Sequence, residues 1–186
     1  MRTKFAAIIA ASLFATAANA NTFEGSLSNE SVKVDVSLSQ QTYFLDVGGM
    51  YHTDDGSYGY VGAHIEDIET SKDYPLQIGL GVRFIAVDAD AGGDDTGVAV
   101  GLGGFYRYTF PKANRFSLYG SLYYSPEVLS FENVENLWQG EVRGEYKTLK
   151  NARVFLRYGQ TSVEFDNRND AVDMNQGIGL GVVADF

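Results

Sequence analysis

In "LQIGLGVRFIAV", residues 76–87, apolar residues recur at every second position of a twelve-residue run. Leu76, Ile78, Leu80, Val82, Phe84 and Ala86 fall on one side of an extended chain and Gln77, Gly79, Gly81 and Arg83 on the other, because successive side chains of a strand point to opposite faces. The run "GVAVGLGGFYRYTF", residues 97–110, repeats this, with Val98, Val100, Leu102, Tyr106, Tyr108 and Phe110 opposed by Gly97, Ala99, Gly101, Gly103 and Arg107. Strands of water-soluble sheets run about five or six residues, whereas a strand tilted across a bilayer takes about 9 to 11. Runs of this length predict an all-β chain whose sheet closes on itself, since an open edge in lipid leaves main-chain groups without partners.

Eight further segments carry the same period. Val32, Val34, Val36 and Leu38 oppose Lys33, Asp35 and Ser37; Tyr43, Leu45, Val47 and Tyr51 oppose Asp46 and Met50; Val61, Ala63 and Ile65 oppose Tyr60, His64 and Glu66. Phe116, Leu118, Leu122 and Tyr124 oppose Ser117, Tyr119 and Ser121, and Trp138, Val142 and Tyr146 oppose Gln139, Glu141, Arg143, Glu145 and Lys147. Val154, Leu156 and Tyr158 oppose Arg153, Phe155 and Arg157. The run "GIGLGVVADF" puts Ile178, Leu180, Val182, Ala184 and Phe186 together, and the short "TFEGSLS" alternates through Phe23, Gly25 and Leu27. Single-chain bacterial outer-membrane barrels have even strand counts. The expected fold is therefore an antiparallel transmembrane β-barrel of ten strands, or eight if two weak runs are not separate strands. Phe186 is expected to anchor the last strand while its main chain pairs with the first.

The opening "MRTKFAAIIAASLFATAANA" has Arg2 and Lys4, an apolar run and the exit Ala18-Asn19-Ala20. It is expected to be a signal peptide over residues 1–20, cut after Ala20, leaving residues 21–186 as the barrel. Removing Arg2 and Lys4 leaves 12 basic against 24 acidic residues, a net charge of −12, which gives no electrostatic case for nucleic acid. There is no cysteine, so disulfides, thiolate metal sites and cysteine nucleophiles are excluded. No stretch after residue 20 is apolar for long enough to form a spanning helix.

A secreted water-soluble barrel also alternates, so the discriminating feature is what fills the less apolar face. That face carries glycines and charges of both signs: Lys33, Arg83, Arg107, Arg143, Lys147, Arg153 and Arg157 against Asp35, Asp46, Glu66, Glu141, Glu145 and Asp185. A narrow lumen has to neutralise its own ions, because an unpaired charge out of water costs several kcal/mol. The near balance predicts that these residues point inward as a charge network and that the apolar face meets lipid. Aromatic residues near the strand ends are expected to form a membrane girdle, with Tyr51, Tyr124, Trp138 and Tyr158 at the outer rim and Tyr43, Tyr108, Phe110, Phe116, Tyr146 and Phe186 at the inner one.

The acidic or polar breaks "HTDDGS", "DADAGGDD", "PEVLSFENVE" and "DNRNDAVD" are expected outside, and the shorter "SQQT", "PKANR" and "LKNA" as periplasmic turns. "DIETSKDYP", residues 67–75, is long for a periplasmic turn.

The stretches "LYGSLYYSPEVLSF", "EVRGEYKTLKNARVFLRYGQ" and "DNRNDAVD", followed by "GIGLGVVADF", resemble the YfaZ family of predicted outer-membrane proteins. The likeness includes the Tyr-Tyr-Ser-Pro exit from a strand and the Asn-Arg-Asn-Asp loop. It implies a compartment and a fold and no catalytic residue.

Chemistry has few carriers. Of the two histidines, His52 lies beside Asp54 and Asp55, where an outer-membrane hydrolase can hold a rim histidine, but no serine accompanies it in a motif. His64 is expected to hydrogen-bond inside the lumen. Asp88, Asp90, Asp94 and Asp95 cluster around two glycines as oxygen donors for a divalent cation, without EF-hand spacing. A lumen of eight to ten strands is narrow enough for side chains to fill. Glu141, Arg143, Glu145 and Lys147 facing Arg153 and Arg157 predict a salt-bridged plug rather than an open channel. The expectation is a structural or surface-interaction barrel without cofactor. A rim hydrolase and a narrow channel for small solutes are the alternatives. The expected partners are outer-membrane lipid and lipopolysaccharide, the barrel assembly machinery during biogenesis, and divalent cations at the acidic loops.

Overall fold

The computed structural model describes residues 21–69, 75–89, 95–166 and 170–186. The alternating runs become β1 (Asn21–Leu27), β2 (Ser31–Ser39), β3 (Phe44–His52), β4 (Gly56–Glu69), β5 (Leu76–Ala89), β6 (Asp95–Thr109) and β7 (Phe116–Ser125). After a 3₁₀ turn, Glu127–Leu129, come a short β8 (Ser130–Glu132), then β9 (Val134–Leu149), β10 (Ala152–Phe165), a two-residue β11 (Val172–Asp173) and β12 (Gly177–Asp185). Setting aside β8 and β11, ten strands pair antiparallel in sequence order, and β12 pairs with both β10 and β1. The sheet is a closed ten-strand barrel. The run "TFEGSLS" supplies the tenth strand, β1, in register with β12 from Thr22 opposite Asp185 to Leu27 opposite Leu180. Phe186 N–H donates to the Asn21 carbonyl at 2.9 Å and Asn21 N–H to the Phe186 carbonyl at 2.8 Å, completing the seam.

Strand direction puts residues 21 and 186 at one end of the barrel, which we call the terminal rim. The strand ends that flank residues 40–43, 70–75, 110–115 and 150–151 share that end. The strand ends that flank residues 28–30, 53–55, 90–94, 126–133 and 166–176 lie at the far end. Residues 67–75 are not one long turn: β4 continues to Glu69, with Ile68 opposite Gln77 and Glu69 opposite Leu76, so the strand absorbs the first part. In the three-residue hairpin 53–55, Gly56 sits at φ 103°, a backbone region that a Cβ disfavours.

The apolar face points outward. Leu80 is 63%, Leu180 67% and Ile178 66% exposed, while the opposed Arg157 is 1% and Arg143 4% exposed. One expectation needs correction, because the inner face is not polar along its whole length. The strands β4, β5, β6, β9 and β10 have 14 to 16 residues, and β1, β2, β3, β7 and β12 have 7 to 10. Toward the far end of the long strands the polarity of the two faces exchanges while the two-residue period continues. On β5 the outward series Leu80, Val82, Phe84 ends in exposed Asp88, and the inward series passes from Arg83 to buried Ile85, Val87 and Ala89. On β10 the outward Val154, Leu156 and Tyr158 give way to exposed Glu164, and the inward Arg153 and Arg157 to buried Val163 and Phe165. These inward residues pack with Met50, Tyr58, Leu137 and Met174 into an apolar cap core. In its far part the molecule has the inside-out arrangement of a water-soluble barrel, and below it the reverse.

Candidate functional site

Beneath the cap core, the lumen is filled by two polar layers. Lys33 on β2 and Glu141 and Arg143 on β9 point inward because they alternate with Val32, Val34 and Val142, which are exposed. Lys33 Nζ donates to Glu141 Oε2 at 3.0 Å and lies 3.3 Å from Asp35 Oδ2. Arg143 donates to both Glu141 and Glu24, and its guanidinium sits 4.4 Å from the Tyr119 ring centre and 4.5 Å from that of Phe155. Arg157, opposite Arg143 in register, is kept from like-charge contact by Glu141, 3.8 Å from its Nη1. Arg83 makes no ion pair with a described residue. Its guanidinium lies between Tyr60 and Tyr123, 4.2 and 3.8 Å from their ring centres, and Tyr60 donates its hydroxyl hydrogen to Asp35. A cation between two ring faces keeps electrostatic stabilisation without a carboxylate.

Nearer the terminal rim, a second layer runs from strand to strand. Ser37 donates to Asp46 Oδ1 at 2.6 Å, and Asp46 Oδ2 meets His64 Nδ1 at 2.6 Å. His64 Nε2 faces Glu66 at 3.9 Å, Gln77 donates to Glu66 at 2.7 Å, and Arg107 donates to Gln77 at 2.6 Å and to Glu145 at 2.9 Å. Arg153 donates to both carboxylate oxygens of Asp185 at 3.0 and 3.1 Å, and Thr22 donates to Asp185 at 3.1 Å. Phe44 stacks on His64 at 4.8 Å between ring centres, and Phe105 meets it edge-on at 5.4 Å. This layer surrounds a cavity of about 280 Å³ at the rim. The cavity shares Glu24, Ser37, His64, Phe105 and Tyr119 with a second cavity of about 70 Å³ in the layer next to the cap core.

The structure brings Lys33, Asp35, Asp46, Glu66, Arg83, Arg107, Glu141, Arg143, Glu145, Arg153, Arg157 and Asp185 into these layers. Lys147 is different: it is exposed at the end of β9 and joins no ion pair with a described residue, so it is not part of the plug. Glu24 is a lumen residue that the sequence reading left out, although it alternates with Phe23 and Gly25 on β1. Tyr51, Tyr124, Tyr158, Tyr43 and Phe186 are exposed on the outer wall, and Trp138, Tyr108 and Tyr146 are half-buried.

His52 is not an exposed rim residue. It is 8% exposed, and its Nδ1 accepts the main-chain N–H groups of Asp54 at 3.3 Å and Asp55 at 3.1 Å. It braces the hairpin 53–55, with Glu30 at 3.7 Å from Nε2, and no serine hydroxyl among the described residues is bonded to it. Asp90 and Asp94 lie outside the described residues. Asp88 and Asp95 do not converge: Asp88 is exposed and pairs with Thr96, while Asp95, opposite Ala89, is 2% exposed on the inner face. Among the described residues no group of three or more carboxylate or imidazole side chains forms a metal site.

A family model described as YfaZ precursor matches residues 1–186. The chain belongs to the YfaZ family. Among solved structures, this YfaZ-family chain is similar to one described as "Unveiling the Mechanism Behind the in-meso Crystallization of Membrane Proteins", at 12% identity, with 90% of this chain and 83% of that chain covered and a TM-score of 0.48. No curated protein matches it significantly.

Proposed function

We propose that this YfaZ-family barrel is an exported outer-membrane protein with a structural or surface-interaction role. Its terminal rim faces the periplasm and its cap stands outside. Residues 1–20 are the cleaved export signal in this reading. The observation that carries it is the exchange of polarity along the long strands. Below the exchange, side chains such as Leu80, Leu102, Leu156 and Leu180 are more than half exposed on every side of a wall that hides ions. Water-soluble monomers rarely expose contiguous apolar patches beyond a few hundred Å², so acyl chains are the solvent that this wall fits. An outward groove of about 770 Å³, bordered by Leu27, Val34, Tyr146, Leu156 and Leu180, fits the same solvent. The cap reverses the pattern where water returns.

Lipid and lipopolysaccharide are then its immediate partners, the barrel assembly machinery inserts it, and divalent cations bridge the acidic far-end loops to lipid phosphates. The cap core and the ionic layers fill the tube, which supports a closed barrel over a channel. The test is membrane fractionation followed by gel migration with and without boiling. The protein is expected in the outer membrane, migrating as a compact form until boiled. A processed chain that is folded and soluble without any amphiphile overturns the reading.

A further inference from the structure

We propose that the rim cavity is a binding site for a neutral, polyhydroxylated ring: a monosaccharide, or one sugar unit of a longer glycan, entering from the side of the terminal rim. The inference rests on the cavity itself and not on the membrane reading; the orientation given above only adds that the ligand arrives from the periplasm.

Three observations select this chemistry. The cavity of about 280 Å³ has the volume of a small-ligand site rather than of a few waters. Its wall combines aromatic surface, from Phe44, Phe105 and Tyr119, with a carboxylate, a carboxamide and a guanidinium, from Glu66, Gln77 and Arg107. These groups already bond one another, and the second hydrogens and lone pairs that each keeps can engage a hydroxyl, while a ring face takes the C–H surface of a sugar. Finally, every cation of this layer is already held by a carboxylate: Arg107 by Glu145, Arg153 by Asp185, and His64 by Asp46 and Glu66. An anionic ligand brings an ion with no free cation to meet it, whereas a neutral ligand needs only donors and acceptors. Two remain over in the wall, because Glu24 Oε1 and Arg153 Nε are buried without a hydrogen-bond partner. The site is blind, since the cap core closes the tube beyond it. It holds a ligand rather than passing one.

The two histidines make the test internal to the protein, because His64 lines the cavity and His52 lies in the cap. Full-length barrel labelled with ¹⁵N-histidine, in a detergent without a sugar headgroup, is titrated with N-acetylglucosamine and separately with glucose, inorganic phosphate and arginine. The His64 imidazole signals are expected to shift saturably with one or both sugars, with a Kd on the order of 1 mM, while those of His52 stay still. Phe105→Leu is expected to weaken the affinity about tenfold, and Gln77→Ala serves if that variant does not fold. No shift of His64 up to the solubility limit of both sugars overturns the proposal. So does an equal movement of His52, or tighter binding of phosphate or arginine than of either sugar.

Discussion

Arg143 is the residue on which most of the central layer converges. Its guanidinium neutralises Glu24 and Glu141 from two neighbouring directions and lies against the rings of Tyr119 and Phe155. Arg143→Ala leaves buried Glu24 without its ion-pair partner and Glu141 with only Lys33 and Arg157, and is expected to cost about 3–5 kcal/mol in denaturant unfolding from micelles. Adding Glu24→Gln to that variant is expected to recover part of the loss. Full additivity of the two changes speaks against the pairing. The glycines give a second contrast at this scale. A Cβ at Gly48 meets the Tyr60 ring and the Asp35 carboxylate, while one at Gly144, on the outer wall, meets nothing within 4 Å. Gly48→Ala is expected to destabilise by about 1–3 kcal/mol and Gly144→Ala to stay within about 0.5 kcal/mol in the same assay. The inward direction of Arg143, Glu141 and Arg157 was legible in the sequence, because each sits between apolar residues on a long alternating run. Their partners were not. Glu24 belongs to a strand of seven residues whose pattern is short, and the rings around Arg83 come from β4 and β7, which no local pattern links to β5.

Among the strands, the long ones carry two environments end to end. Their period is legible as one continuous strand, but the exchange of faces is hidden, because alternation fixes which residues share a face and not what lies on that side. The local signal was the unbroken apolar "FIAV" at residues 84–87, where Phe84 and Ala86 point out while Ile85 and Val87 point in. Leu137, fully buried in the cap core, is the position that tests this. Leu137→Ala is expected to cost about 2–5 kcal/mol and to make the far-end loops open to added protease on intact cells. The same truncation at Leu80, 63% exposed on the outer wall, is expected to leave protease resistance unchanged. Equal protease sensitivity of the two variants speaks against a packed cap.

The barrel as a whole is closed in two different ways, by hydrogen-bonded ions along its lower tube and by apolar packing at its far end. Side chains rather than a removable loop make both closures, so purified protein in planar bilayers is expected to show no stable unitary current at any holding voltage or salt concentration. Steady single-channel steps from the unaltered protein contradict that view. Strand number and closure followed from the alternation and the even count of such barrels, and the lumen's ionic content from its near balance of sign. The seal at the far end did not follow, since it depends on residues from β3, β4, β5, β9 and β10 meeting across the tube.

In the outer-membrane placement proposed above, the exchange of faces also bears on how such a chain enters its membrane. Everything in the cap has to be carried through an oily layer about 30 Å thick before it can fold beyond it. Ile85, Val87, Val163 and Phe165 then cross together with Asp88 and Glu164 of the same strands, whereas the ions that fill the tube stay at the level where they find one another. On that placement, the boundary that separates the two packings of the finished molecule also marks how far each long hairpin has travelled.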